Sequence, residues 1–163
     1  MVILGLDPGI ATVGFGIISS ENGRQRAITY GAITTPAGQP LSERLESIYN
    51  DCNQLIESFQ PDAIAIEELF FNTNLKTGIA VAHGRGVLLL SGKQHNVPMY
   101  EYTPLQVKQS VVGYGRAEKK QVQFMVKNIL GLSSIPKPDD AADALAVALT
   151  HMQTNSMMSD NSI

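Results

Sequence analysis

Two short runs in this chain are apolar at every position and then stop on an acid. Residues 2–6 (VILGL) lead into Asp7-Pro8-Gly9, and residues 63–66 (AIAI) lead into Glu67. A strand that lacks polar alternation is buried on both faces, so each run demands helices above and below it. Asp-Pro-Gly supplies the turn chemistry that closes the first strand.

The remaining pattern fits that frame. Residues 13–18 (VGFGII) and 27–35 (AITYGAITT) read as two more strands, with glycines where side chains would crowd a neighbour. Glu21-Asn22-Gly23-Arg24 lies between them and has the composition of a tight hairpin turn. The first three strands are therefore expected to be antiparallel. From Leu41 the period lengthens. Leu41, Leu45, Ile48, Cys52, Leu55 and Phe59 recur at helical spacing until Pro61 ends the run. Further helices are expected at 73–94, where small residues crowd, and at 104–112, 117–130 and 139–151. A fifth strand is expected at 97–102. These elements make a five-stranded mixed α/β sheet with helices on both faces. The expected organisation is one domain over residues 1–152 and a disordered polar tail over 153–163.

Composition narrows the setting. The chain has 163 residues, 44% of them hydrophobic and 17% charged, which excludes a disordered polypeptide. Its one cysteine, Cys52, falls on an apolar helix face and reads as a buried, inert thiol. The N-terminal residues have neither a basic leader nor a long apolar stretch, so no signal peptide or membrane span is expected. A cytoplasmic location follows. The formal net charge is −3, which opposes nucleic-acid binding unless positive charge gathers on one face. Lys76, Arg85, Lys93, Lys108, Arg116, Lys119, Lys120 and Lys127 all lie in the second half of the chain and could form such a stripe.

Four acids stand where an acid is costly unless used. Asp7 and Glu67 end apolar strands; Asp140 and Asp143 lie three residues apart on one face of the last helix. Ligands of open α/β sheets collect beyond strand ends, and clustered carboxylates are the donor set that Mg²⁺ and Mn²⁺ prefer. Each acid alone has a plainer reading. Asp7 could begin a turn, and Asp140 could favour the helix dipole. Asp139 fits best as a helix cap, and Glu68 should point to the opposite side of its strand from Glu67 and be solvated. Asp143 is harder to explain away, because it interrupts an otherwise apolar helix. His83, His95 and His151 lack ligand spacing and read as structural or solvent-facing.

The segments LGLDPGIATVGFGII, AIEELFF, VKQSVVGYGRAEKKQVQ and PDDAADALAVALTH, in this order, resemble the RuvC family of Holliday junction resolvases. The likeness spans residues 2–151. It implies an RNase H-like fold, a homodimer and paired incisions across four-way junction DNA that leave a 5′-phosphate and a 3′-hydroxyl. It also implies metal ligands at Asp7, Glu67, Asp140 and Asp143, basic contacts at Lys108 and Lys119, and an aromatic at Phe70 that stacks on bases near the crossover. A branch-migration motor is an expected partner on the same ground.

Phosphodiester hydrolysis suits two divalent ions about 3.5–4 Å apart, with Mg²⁺ expected, Mn²⁺ a substitute and Asp7 the expected bridge. Lys119 would offset charge on the scissile phosphate. Phe70 and Phe71 precede a polar Asn72-Thr73-Asn74 stretch, where an exposed ring could stack on a base; Phe71 is the one expected in the core. Lys76, Arg85, Lys108, Arg116, Lys119 and Lys120 are the expected phosphate contacts. Three rival readings are a ribonuclease H or non-specific nuclease, an actin-like ATPase or sugar kinase domain, and a junction-binding scaffold without catalysis. The second would need a further phosphate-binding lobe that 163 residues do not accommodate.

Overall fold

The computed structural model describes residues 1–69, 75–154 and 161–163. The apolar run after Met1 forms β1 (Val2–Asp7). It continues into β2 (Thr12–Glu21) and β3 (Arg24–Thr34), joined by Asn22 and Gly23 with φ of 53° and 77°. Two consecutive left-handed residues make the hairpin turn whose twist matches the flanking strands, which is why Asn-Gly stands there. Helix α1 (Leu41–Phe59) follows and stops at Gln60, a left-handed residue just before Pro61. Then come β4 (Ala63–Glu67), α2 (Leu75–Gln94), β5 (Met99–Tyr102), α3 (Pro104–Val112), α4 (Lys119–Leu130) and α5 (Asp139–Thr154).

The sheet order is β3-β2-β1-β4-β5. The first three strands are antiparallel, while β1–β4 and β4–β5 are parallel. The expected mixed sheet, with helices on both faces, is thus what forms. The two fully apolar strands, β1 and β4, are central. On one face Leu4, Leu6, Ile64 and Ile66 meet Ile48, Cys52 and Ile56 of α1 and Leu88 of α2. On the other, Ile3, Ala63, Ala65 and Tyr102 meet α3, α4 and α5. Among the described residues, no helix is long and apolar enough to cross a membrane.

Helix α5 is the element that places the site. Every residue from Ala144 to His151 is buried, and Leu145 and Leu149 each contribute about 1.5–3 kcal/mol by leaving water. The helix lies almost on the sheet backbone, because the strands below it are glycine at the crossing. A β-carbon on Gly5 would stand 2.1 Å from the Ala144 carbonyl oxygen, and one on Gly14 would stand 2.0 Å from that of Asp140. Farther along, the Tyr102 hydroxyl meets His151 Nδ1 at 2.7 Å, which satisfies both groups in the interior. Burial lowers the pKa of His151.

Two boundaries differ from expectation. The last helix runs to Thr154, beyond the expected end of the folded domain at 152. Residues 161–163 were expected within a disordered tail, yet they lie along β5. Glu101 donates its N–H to the Asn161 carbonyl, and Ile163 donates to that of Met99. Composition suggested a free tail; an unpaired strand edge offers backbone partners to any sequence, polar or not.

Replacing Gly5 by alanine should lower stability by about 1–3 kcal/mol, because the obstacle is backbone rather than a side chain that can turn away. Thermal unfolding checks this: an unchanged midpoint would show that α5 can lift without cost.

Candidate metal centre

Register delivers the carboxylates. Along β1, alternate residues Ile3, Gly5 and Asp7 face α5, as do Ala63, Ala65 and Glu67 along β4. Asp7 pairs across the sheet with Gly14, and the Asp140 backbone rests on that glycine. Asp143, one turn along α5, faces the same space. A side chain at position 14 would hold α5 away and separate Asp140 from Asp7.

The electrostatics are those of acids crowded without sufficient counter-charge. Asp7 and Glu67 share a side-chain hydrogen bond, so one of them carries a proton. Burial, then the charges of Glu67, Asp143 and Asp140, raise the Asp7 pKa to about 8. Burial and the charge of Asp143 also raise that of Glu67, while the bond to Asp7 and the charges of Lys119 and Lys108 pull it down. Burial raises Asp143 against the opposing pull of Lys119, with Asp140 and Asp139 adding to the rise. Lys119 Nζ donates to Asp143 Oδ2 at 2.8 Å. Burial works against the lysine's charge, but its bond to Asp143 and the charges of Asp143, Asp139 and Asp7 raise its pKa overall.

The carboxylates share one region but do not close around a common point: among the described residues, no three acids, histidines or cysteines gather tightly enough to enclose an ion. Asp7 and Glu67 are joined by a proton, and Asp143 is turned toward Lys119. All-oxygen donors with excess negative charge, one neutralised by a proton at neutral pH, fit a hard divalent cation that would displace that proton. Beside the acids opens a cleft of about 240 Å³, lined by Glu67, Lys108, Lys119 and Asp143 among others.

The other expected contacts divide. Lys108 and Lys119 border the carboxylates. Arg116 and Lys120, in and just after the α3–α4 connection, are exposed, as is Lys76 near the start of α2. Lys93 lies on a separate cleft with Met99 and Ile163. Arg85 departs from the expected stripe: its guanidinium turns in to the Glu101 carboxylate. Phe70 and Phe71 lie outside the described residues. Asp139 occupies the first position of α5, and its carboxylate takes a bond from Lys137 at 2.9 Å, so the lysine diverts the expected cap. Glu68 is half-buried and its charge acts on Arg85, so it is not the freely solvated acid expected. Of the histidines, His83 is exposed, His95 contacts Asn53 and His151 contacts Tyr102.

With this geometry in view, comparison with known proteins decides the family. The sequence matches the family described as crossover junction endodeoxyribonuclease RuvC over residues 3–151. The chain belongs to the RuvC family. A RuvC from Alkaliphilus oremlandii is 57% identical over 154 residues, covering 94% of each chain. One from Clostridioides difficile is 55% identical over 157 residues, covering 96% of this chain and 93% of the relative. The Thermus thermophilus RuvC structure superposes with a TM-score of 0.93 at 36% identity over the whole of both chains. The same enzyme in complex with Holliday junction substrate gives 0.95 at 35% identity, covering 100% of this chain and 99% of the other. The expected RNase H-like fold is thus that of a RuvC-family protein.

The Asp7 shift has a direct consequence. Its folded pKa of about 8 lies above the ordinary 3.8, so the metal-free fold loses stability as pH rises through that window. In chelator at pH 8, Asp7→Asn should stabilise the fold by roughly 1–3 kcal/mol. Mg²⁺ should raise the melting temperature of the wild type and leave that of Asp7→Asn nearly unmoved. A wild-type midpoint that is flat from pH 5 to 8 in chelator would remove the crowded-acid description.

Proposed function

We propose that this chain is a structure-specific endodeoxyribonuclease that resolves Holliday junctions in recombination and repair, working as a homodimer that nicks two opposed strands. The observation that carries the reading is the hydrogen-bonded Asp7–Glu67 pair with Asp140 and Asp143 beside it, at strand ends and over a cleft bordered by lysines. Membership of the RuvC family and the likeness to a relative described in complex with a Holliday junction substrate support it.

Asp7, Glu67, Asp140 and Asp143 would hold Mg²⁺ or Mn²⁺, two ions per site, with Asp7 bridging. Such ions supply an activated water and charge neutralisation at phosphate. The chain's own residues do the rest. Lys119 is poised to leave Asp143 for a phosphate oxygen, so its charge is available where negative charge develops. Lys108 reaches the same cleft and would anchor the adjacent backbone phosphate. Lys76, Arg116 and Lys120 extend this positive surface. Phe70, with Phe71 as the alternative, would stack on unpaired bases at the crossover. Cleavage would leave a 5′-phosphate and a 3′-hydroxyl.

A four-way junction has approximate two-fold symmetry, which two identical sites match. The dimer face we assign is the outer side of α2. Ile79, His83, Gly86 and Leu90 are exposed at helical spacing, with Ile79 51% and Leu90 52% accessible. Gly84 and Gly92 of the same helix face inward, where β-carbons would strike Gly9 and Met99. A branch-migration motor would deliver the junction, in the cytoplasm.

On a synthetic four-way junction with Mg²⁺, the wild type should make symmetric nicks. Asp7→Asn should bind the junction with unchanged affinity and cut at least about 10²-fold more slowly. Faster cleavage of an RNA–DNA hybrid, or binding without cutting by the wild type, would overturn the reading. Leu90→Glu should give a monomer by light scattering; a dimer in that variant would move the interface elsewhere. Junction affinity should fall steeply between 50 and 200 mM salt, roughly one power of salt per phosphate contact.

A further inference from the structure

One turn of α2 touches the loop that follows Asp7 and the strand next to the one that supplies Glu67. Gly84 packs against the loop after Asp7, so closely that a β-carbon there would lie 2.3 Å from the Gly9 carbonyl oxygen. The next residue, Arg85, directs its guanidinium at the Glu101 carboxylate on β5. Glu101 is the register partner of Ile66, and Tyr102 that of Glu67. Just past the strand, Glu68 donates its N–H to the Tyr102 carbonyl at 2.9 Å. Arg85 therefore holds β5 beside the point where Glu67 leaves β4.

The arginine is costly where it stands. Its side chain is 20% exposed, and its Nε is shielded from solvent with no acceptor among the described residues. Burial lowers its pKa, against the pull of the Glu68 charge. A methionine would fill the same space without those penalties, so packing alone does not account for a cation here. A DNA contact does not account for it either, because the charged end faces Glu101 beneath α2.

We propose that Arg85 is a positioning residue for the metal centre. Held by Glu101 and drawn to Glu68, it fixes the exit of β4 at Glu67 and, through Gly84, ties that exit to the loop that follows Asp7. The two carboxylates would then be kept side by side, ready to share a divalent ion. This rests on the metal-nuclease reading above, and the experiment separates the two.

Mn²⁺ is titrated calorimetrically into the wild type, Arg85→Met, Arg85→Lys and Glu101→Gln without DNA. Junction affinity is measured in chelator, and melting temperatures report folding. Arg85→Met and Glu101→Gln should each weaken Mn²⁺ binding about tenfold, with junction affinity within about twofold of the wild type and nicking restored by excess metal. Arg85→Lys, which keeps the charge but not the fork, should recover part of the loss. Should Arg85→Met fail to fold, Glu101→Gln and Arg85→Lys decide the matter alone. Wild-type Mn²⁺ affinity in the variants overturns the proposal, as does a loss confined to junction binding. A wild type that neither binds Mn²⁺ nor nicks junctions overturns the nuclease reading itself.

Discussion

The contact on which this structure depends is that between α5 and the bare backbone of β1 and β2. Gly5, Gly14 and Gly16 leave no β-carbons under the helix, so its carbonyl oxygens, Ala148 and the Leu145 side chain rest directly on the sheet. This closeness does two things. It buries the alanine-rich helix against bare backbone, with Leu145 lying over Gly16, and it brings acids on that helix down to the level of acids at the strand ends. A wider helix–sheet spacing, of the ordinary kind with leucines between, would keep a similar fold and dissolve the charge cluster.

Packing so many carboxylates together opposes folding, and the chain manages the repulsion by three means. Asp7 and Glu67 share a hydrogen bond that needs a proton, Lys119 bonds Asp143, and the charge of Lys108 bears on Glu67. Each is a stand-in for charge arriving with ligands. Under the proposed function the proton would yield to a cation, and the lysine would exchange a carboxylate for a phosphate. The resting site is thus compensated internally, which is how a crowded acid cluster persists in a folded chain.

Much of this was legible in the sequence, because the relevant signals were local. Asp7 and Glu67 stood out as acids closing apolar strands, and Asp143 as an acid inside an apolar helix. Asn22-Gly23 announced its hairpin. Arg85 stands apart for an equally physical reason: in sequence it is one of several basic residues on a helix, and only the fold brings Glu101, sixteen positions on, within bonding reach. Asp139 was assigned as a cap without account of Lys137, whose ammonium claims the same oxygen. In α2, glycine and alanine at many positions blur the apolar period, so the inward role of Gly84 and Gly92 and the outward stripe of Ile79 and Leu90 could not be separated until the helix was seen against the sheet.

The pairing of residues 161–163 with β5 bears on how copies of this chain can meet. A bare outer strand invites a neighbour to join it through main-chain bonds, and such growth has no natural stopping point. Here the chain's own Asn161 and Ile163 occupy part of that rim. Continuous sheet formation across β5 is thereby obstructed along that part of the rim, because its main-chain groups already have partners within the chain.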